Sequence, residues 1–181
     1  MLERQIGDSM NTKLKLIFLV IILLVLILAA GCNGSEALKP QAGAIIYGDL
    51  VPEQAGTNAS AKSGGLQITV TGDGEGISQA TLAITELHCT NETGDASISS
   101  EGLSTTVDFS TPVVINNGQF SFNLARDANE KILVEGNFTS PTEATAVITI
   151  SATVTVAPAE ADYEGTFSCD YGTMSWSGIA Q

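Results

Sequence analysis

Histidine occurs once in the 181 residues, as His88. Nucleophilic catalysis needs a base within reach of a serine or cysteine and a third group to orient it. No Gly-x-Ser-x-Gly elbow and no Ser-x-x-Lys motif accompanies the histidine. His88 therefore reads as a strand residue, and the chain as a non-enzyme. A zinc site from His88, Cys89 and Cys169 lacks a fourth ligand and the usual paired spacing. Basic residues are also scarce, with seven Lys and Arg against 20 Asp and Glu. Arg4, Lys13 and Lys15 precede Cys32, so four basic and 18 acidic residues follow it. Such a surface excludes nucleic-acid binding and repels anionic headgroups. It suits calcium, a cationic partner, high salt, or solubility alone. Aromatic residues make up only 6% of the chain. A sugar-cleaving cleft normally stacks its substrate on several of them, and beyond the phenylalanines only Trp176, Tyr47, Tyr163 and Tyr171 are on offer. Trp176 reads as core, and Tyr163 with Tyr171 as a small exposed spot flanking Cys169. No window beyond residue 32 shows an amphipathic helical period.

One long apolar run is present. Lys13-Leu-Lys15 leads into Leu16–Ala30, which ends in Ala29-Ala30-Gly31-Cys32. A basic start, an apolar core and small residues before the cut make a secretory signal. The run falls short of the roughly 20 residues that span a bilayer, which disfavours an uncleaved anchor. With a cysteine directly after Ala-Ala-Gly, the segment resembles the lipobox of prokaryotic lipoproteins. That resemblance implies cleavage before Cys32 and lipidation of its thiol. Dual acylation then holds the chain stably at the membrane. The expected organisation is a signal peptide over 1–31, a lipidated Cys32 with a tether over 32–42, and a domain over 43–181. The expected location is extracytoplasmic, at the cell surface or in the periplasm, with the membrane as partner through the lipid.

The domain reads as strand throughout. Leu66, Ile68 and Val70 alternate with Gln67, Thr69 and Thr71. Val107 and Phe109, then Phe120, Phe122 and Leu124, do the same. So do Ile132, Val134, Gly136 and Phe138, and the series Ala146, Ile148, Ile150, Ala152, Val154 and Val156. Period two with β-branched and aromatic residues marks half-buried strands. Gly72–Gly76, Ala125–Glu130 and Ser140-Pro141 are breaks. Asn116-Asn117-Gly118 predicts a hairpin, since Asn-Gly accepts the positive φ of a type I′ turn. About nine short strands with such turns predict an all-β fold, an antiparallel β-sandwich or alternatively a closed β-barrel. Phe109, Phe120, Phe122, Val134, Phe138, Ile148, Ile150 and Trp176 are expected on inward faces of one core.

Three cysteines are an odd count for an exported protein. Lipidation of Cys32 leaves Cys89 and Cys169, and two cysteines in an exported domain usually pair. Closing so long a loop contributes about 4 kcal/mol in the chain-entropy model. Two free thiols in an anaerobe are the alternative. A second resemblance bears on this. Ile84–Cys89, Asn117-Gly-Gln-Phe120-Ser-Phe122, Gly136-Asn-Phe138-Thr-Ser140-Pro141, Cys169 and Gly172-Thr-Met-Ser-Trp176-Ser follow in one order. The series resembles a group of uncharacterised secreted β-domains of bacteria and archaea. It departs from them at Ala144-Thr-Ala146, where they carry glycine, and at Ile45–Gly48, where they carry a tryptophan between glycines. The resemblance implies an antiparallel β fold with Cys89 paired to Cys169, and transfers no activity.

Hard oxygen ligands gather in the breaks: Asp73 and Glu75, Asp95, then Asp127 and Glu130. They are candidates for a structural calcium site, although none follows the EF-hand spacing. No other cofactor is implied. The sequons at Asn33, Asn58, Asn91 and Asn137 matter in a host that glycosylates asparagine, as many archaea do. The resulting expectation is a lipid-anchored binding or structural module with a surface protein or glycan as ligand. Contacts are expected on the loops 72–76, 90–95 and 125–130, with no concave pocket of perturbed titratable groups. The alternative is a glycan- or ester-acting hydrolase whose carboxylates are assembled in space.

Overall fold

The chain divides into two compact units, Met1–Glu36 and Ala37–Gln181. The computed structural model describes residues 38–91, 93–94, 96–125, 127–156 and 165–181, all within the second unit. The apolar run, Cys32 and Asn33 lie outside the described residues, as do Asp95 and Tyr163.

The described residues form nine strands: β1 (Ile45–Ala55), β2 (Ala59–Ser60), β3 (Ser63–Val70), β4 (Gly76–Thr90), β5 (Ser97–Val114), β6 (Gln119–Asn123), β7 (Glu130–Ser140), β8 (Glu143–Val156) and β9 (Gly165–Ala180). Every ladder is antiparallel. β5 pairs β4; β2 and β3 share the other flank of β4; then follow β1, β9, β8, β7 and β6. Short connections put chain neighbours beside one another, and the C-terminal strand returns to β1. The result is an up-and-down ring with one link missing. β5 and β6 follow one another in the chain, yet they share no ladder. The sheet curls over itself as a sandwich and does not close into a barrel.

Its inner faces carry the predicted alternation. Leu66, Ile68, Val134, Ile148 and Trp176 are buried in one core. The Trp176 indole N–H donates to the carbonyls of Gly48 and Leu66, at 3.0 and 2.9 Å, so the ring is buried without an orphan donor. Phe120, Phe122 and Phe138 cluster at the β6–β7 end, with centroids 5.5 to 5.9 Å apart. Phe120 lies over Gly136, its ladder partner, where an added Cβ would meet the ring at 2.5 Å. Phe109 differs from the other seven expected core residues in being half-buried. It sits on the free edge of β5 and closes edge-on against Phe122, centroids 5.3 Å apart.

The predicted hairpin forms only its turn. Asn117 and Gly118 take φ of +51° and +81°, and Asn116 and Gln119 exchange both backbone bonds at 2.9 Å. The ladder stops there. The end of β5 stays with β4 instead, through Val113 opposite Ile77 and the Ile115 N–H on the Glu75 carbonyl at 3.0 Å. A long existing ladder outweighs one local turn. Residues before 43 also join the fold. Gln41 N–H donates to Pro141 at 2.7 Å, Gly43 N–H to Thr71 at 2.9 Å, and Leu38 packs on the core. Residues 38–42 therefore belong to the domain. They enter it at the pole formed by the turns after β3, β5 and β7.

Candidate functional site

Regular strands would put alternate residues on one face from end to end. Three strands break that rule at mid-length. On β4 the inward set is Ala80, Leu82 and Ile84, then Leu87 and Cys89. The switch falls at Glu86, which takes φ of +53°. Gly102 (φ +157°) stands opposite Thr85 on β5 and switches that strand too, from Ile98 to Leu103, Thr105 and Val107. On β9 the inward set passes from Phe167, Cys169 and Tyr171 to Met174 and Trp176 at Gly172 (φ +75°). An added Cβ at Gly102 or Gly172 would come within 2.5 Å of a neighbouring carbonyl oxygen, so both positions require glycine.

The switches turn Cys89 and Cys169 inward together. They form a disulfide with a Cα separation of 5.7 Å, within the normal range. The pairing implied by the resemblance is thus observed, and the free-thiol alternative is not. Asn58 locks the same place. Its amide donates to the carbonyls of Thr90 (2.8 Å) and Ser168 (2.7 Å), and its oxygen accepts from Asp170 N–H (3.1 Å). Asp170 in turn accepts from Gly172 N–H and the Thr57 hydroxyl, which hold its carboxyl below the usual aspartate value.

Beyond the switches, at the pole opposite the chain entry, the described residues leave the interior unfilled. A cavity of about 540 Å³ lies between β4–β5 on one side and β7–β8 on the other. Leu87, Ile98 and Leu103 line one wall; Ile132, Ile150, Ala152, Val154 and Val156 line the other, with Tyr171 between. Its cause is the short β6. That strand ends at Asn123, so above it β5 pairs only β4 among the described residues and its other edge carries no ladder. The volume falls within the range of small-molecule sites. Among the described residues the titratable groups in the lining are Glu130 and Tyr171, and burial raises the Tyr171 phenol. Recognition was expected on loops; here the concave surface is made by strands. Tyr171, expected to be exposed, is 9% exposed and part of the wall.

The acidic candidates separate. Asp73 and Glu75 lie in the turn after β3, at the chain-entry pole. Asp127 and Glu130 lie before and at the start of β7, at the cavity pole. The Asp73 carboxylate accepts from the Thr71 hydroxyl and from Glu75 N–H, which lowers its pKa. Glu75 pairs with Lys39 at 3.3 Å, and Asp127 accepts from Asn129 N–H at 2.7 Å. Each of these three completes a turn or an ion pair. Among the described residues no three His, Cys, Asp or Glu side chains come together as a metal site. His88 lies on the outer face, its Nδ1 2.9 Å from the Ser99 hydroxyl, in a depression that also holds Ser60, Lys62 and Glu86. Of the sequons, Asn137 is exposed on β7, Asn91 is 8% exposed, and Asn58 has both amide hydrogens engaged. A glycan on Asn58 would remove one of those bonds.

The sequence missed the cavity because Ile98, Leu103, Val154 and Val156 are the same residue types that fill a core. Their one distinguishing signal is position, toward the cavity-pole ends of long strands where burial weakens. No protein-family model, curated protein or solved structure matches the chain.

Proposed function

We propose that this chain is a lipid-anchored, extracytoplasmic binding module that takes its ligand in the open seam between β5 and β8. The observation that carries the reading is the aliphatic cavity of about 540 Å³ at the pole opposite the chain entry. An open, largely apolar cavity with a few polar groups is the default place for a ligand. The disulfide supports an oxidising compartment, and the Leu16–Cys32 signal supports the lipid anchor. The lining joins aliphatic walls to serine hydroxyls at Ser97, Ser99, Ser100 and Ser151, which suits an apolar ligand body with a neutral polar edge.

The test uses the full chain in phosphatidylcholine nanodiscs and the neutral dye Nile red. Saturable binding is expected, lost in Val154→Asp, and retained in Val114→Asp at the other pole. Equal loss in both variants, or no saturable binding, would overturn the reading. Turnover of a glycan or ester, lost on changing one carboxylate, would replace it with the hydrolase.

A further inference from the structure

We propose that the natural occupant of the seam is an extended peptide strand from a partner protein, with aliphatic side chains alternating with neutral or basic ones. This rests on the seam being the binding site. Three observations carry it. First, the lane beside β5 is only half built. β6 pairs β7 from Leu133 to Asn137, and Leu124 N–H still reaches the Ile132 carbonyl at 2.9 Å. Above that point no described strand occupies the lane. β5 runs on over Ser97–Leu103 with β4 on one side and no strand on the other among the described residues. A free edge of that kind is a template for strand addition.

Second, the direction and the side-chain pattern fit. β5 and β7 run the same way and β6 runs against both, so a strand continuing the β6 lane is antiparallel to each flank. Every second side chain of such a strand points inward. There it meets Ile98, Leu103, Ile150 and Val154, the apolar walls of the cavity. A small apolar molecule fills the cavity and leaves the β5 edge unpaired. A strand satisfies both with one ligand. The lower half of the seam needs no such partner, because Phe109 and Phe122 already meet across it.

Third, charge selects the strand. Among the described residues no lysine or arginine lines the cavity, and the chain after Cys32 carries 18 acidic residues against four basic ones. Two of the four basic residues after Cys32 are held elsewhere: Lys39 by Glu75, and Lys62 by Glu86 at 2.8 Å. An acidic peptide meets a surface of its own sign, whereas a neutral or basic one is attracted.

The experiment uses the full chain in phosphatidylcholine nanodiscs and the synthetic peptide acetyl-Thr-Val-Lys-Val-Ser-Val-Lys-amide. Anisotropy gives its affinity, and hydrogen exchange gives its footprint. Binding is expected, with exchange slowed over Ser97–Leu103. At least tenfold weakening is expected when every second amide is N-methylated, and when glutamate replaces lysine. Leu103→Asp should abolish binding. Equal affinity of the N-methylated peptide would overturn the proposal, because strand addition depends on main-chain bonds. Nile red binding with no peptide binding would overturn it too, while leaving the cavity as the site of a small apolar ligand. Protection of the β5 edge without peptide, in a chain that is dimeric, would assign the edge to a second copy.

Discussion

Glu86 sets the inward direction of everything above it on β4. A side chain at φ of +53° is strained unless the surroundings enforce it, and a β-branched one more so. Glu86→Val is expected to cost about 2 kcal/mol in denaturant unfolding, while Glu86→Gly stays within about 1 kcal/mol of the parent. The exposed Lys62 ion pair adds little either way. Equal effects of the two substitutions would mean that the positive φ is not what holds the strand. Among the described residues, two carboxylates contribute acid sensitivity. Asp73, through Thr71 and Glu75, and Asp170, through Gly172 and Thr57, titrate lower when folded than when unfolded. Both therefore contribute stability above the unfolded value near 3.9, and lose it as pH falls through the folded value. Unfolding midpoints should drop from about pH 5 downward, and less steeply in Asp170→Asn. An unchanged slope in that variant would count against the role given to Asp170. These residue roles were out of reach of sequence reasoning, since Glu86 and Asn58 look like ordinary polar residues. Their importance comes from a backbone angle and from two carbonyls more than 30 positions away in the chain.

Strand β6 decides the architecture by being short. It has five residues, against 18 in β5 and 11 in β7. The Phe109–Phe122 contact then carries the closure of the lower seam. Phe122→Ala should cost about 3 to 5 kcal/mol and should speed hydrogen exchange in β5 more than in β1. Uniform acceleration of all strands would show that the seam is not a separate cooperative element. The elements themselves were legible. Alternation located β6, β7 and the first half of β8, because one buried face imposes period two on a strand. The phase switches at Glu86, Gly102 and Gly172 were not legible, because they break the same periodicity that reveals strands. The open seam was hidden by Asn117-Gly118, whose local preference for a hairpin is satisfied by the turn while the β4–β5 ladder holds the strands apart. The candidate ligands Asp73, Glu75, Asp127 and Glu130 were read as one class of loop oxygens, and only the topology shows that they sit at opposite poles.

At the scale of the molecule, two poles divide the work. The entry pole holds residues 38–44, the turns after β3, β5 and β7, and the aromatic core. The other pole holds the cavity, braced by the Cys89–Cys169 disulfide across β4 and β9. Those cysteines are 80 residues apart. Replacing both by serine should cost about 4 kcal/mol by the chain-entropy model. The loss should fall first on the cavity pole, read as faster exchange near Thr90 and Ser168 before the core around Trp176 loosens. Fast exchange spread evenly over both poles would contradict that division. The central claim is that recognition happens in the open seam. Hydrogen exchange of the full chain with and without saturating Nile red tests it most directly. The account predicts slowed exchange on both walls, Ser97–Leu103 and Ile150–Val156, and no change at the turns of the entry pole. Protection at those turns, or no protection of either wall, would contradict it.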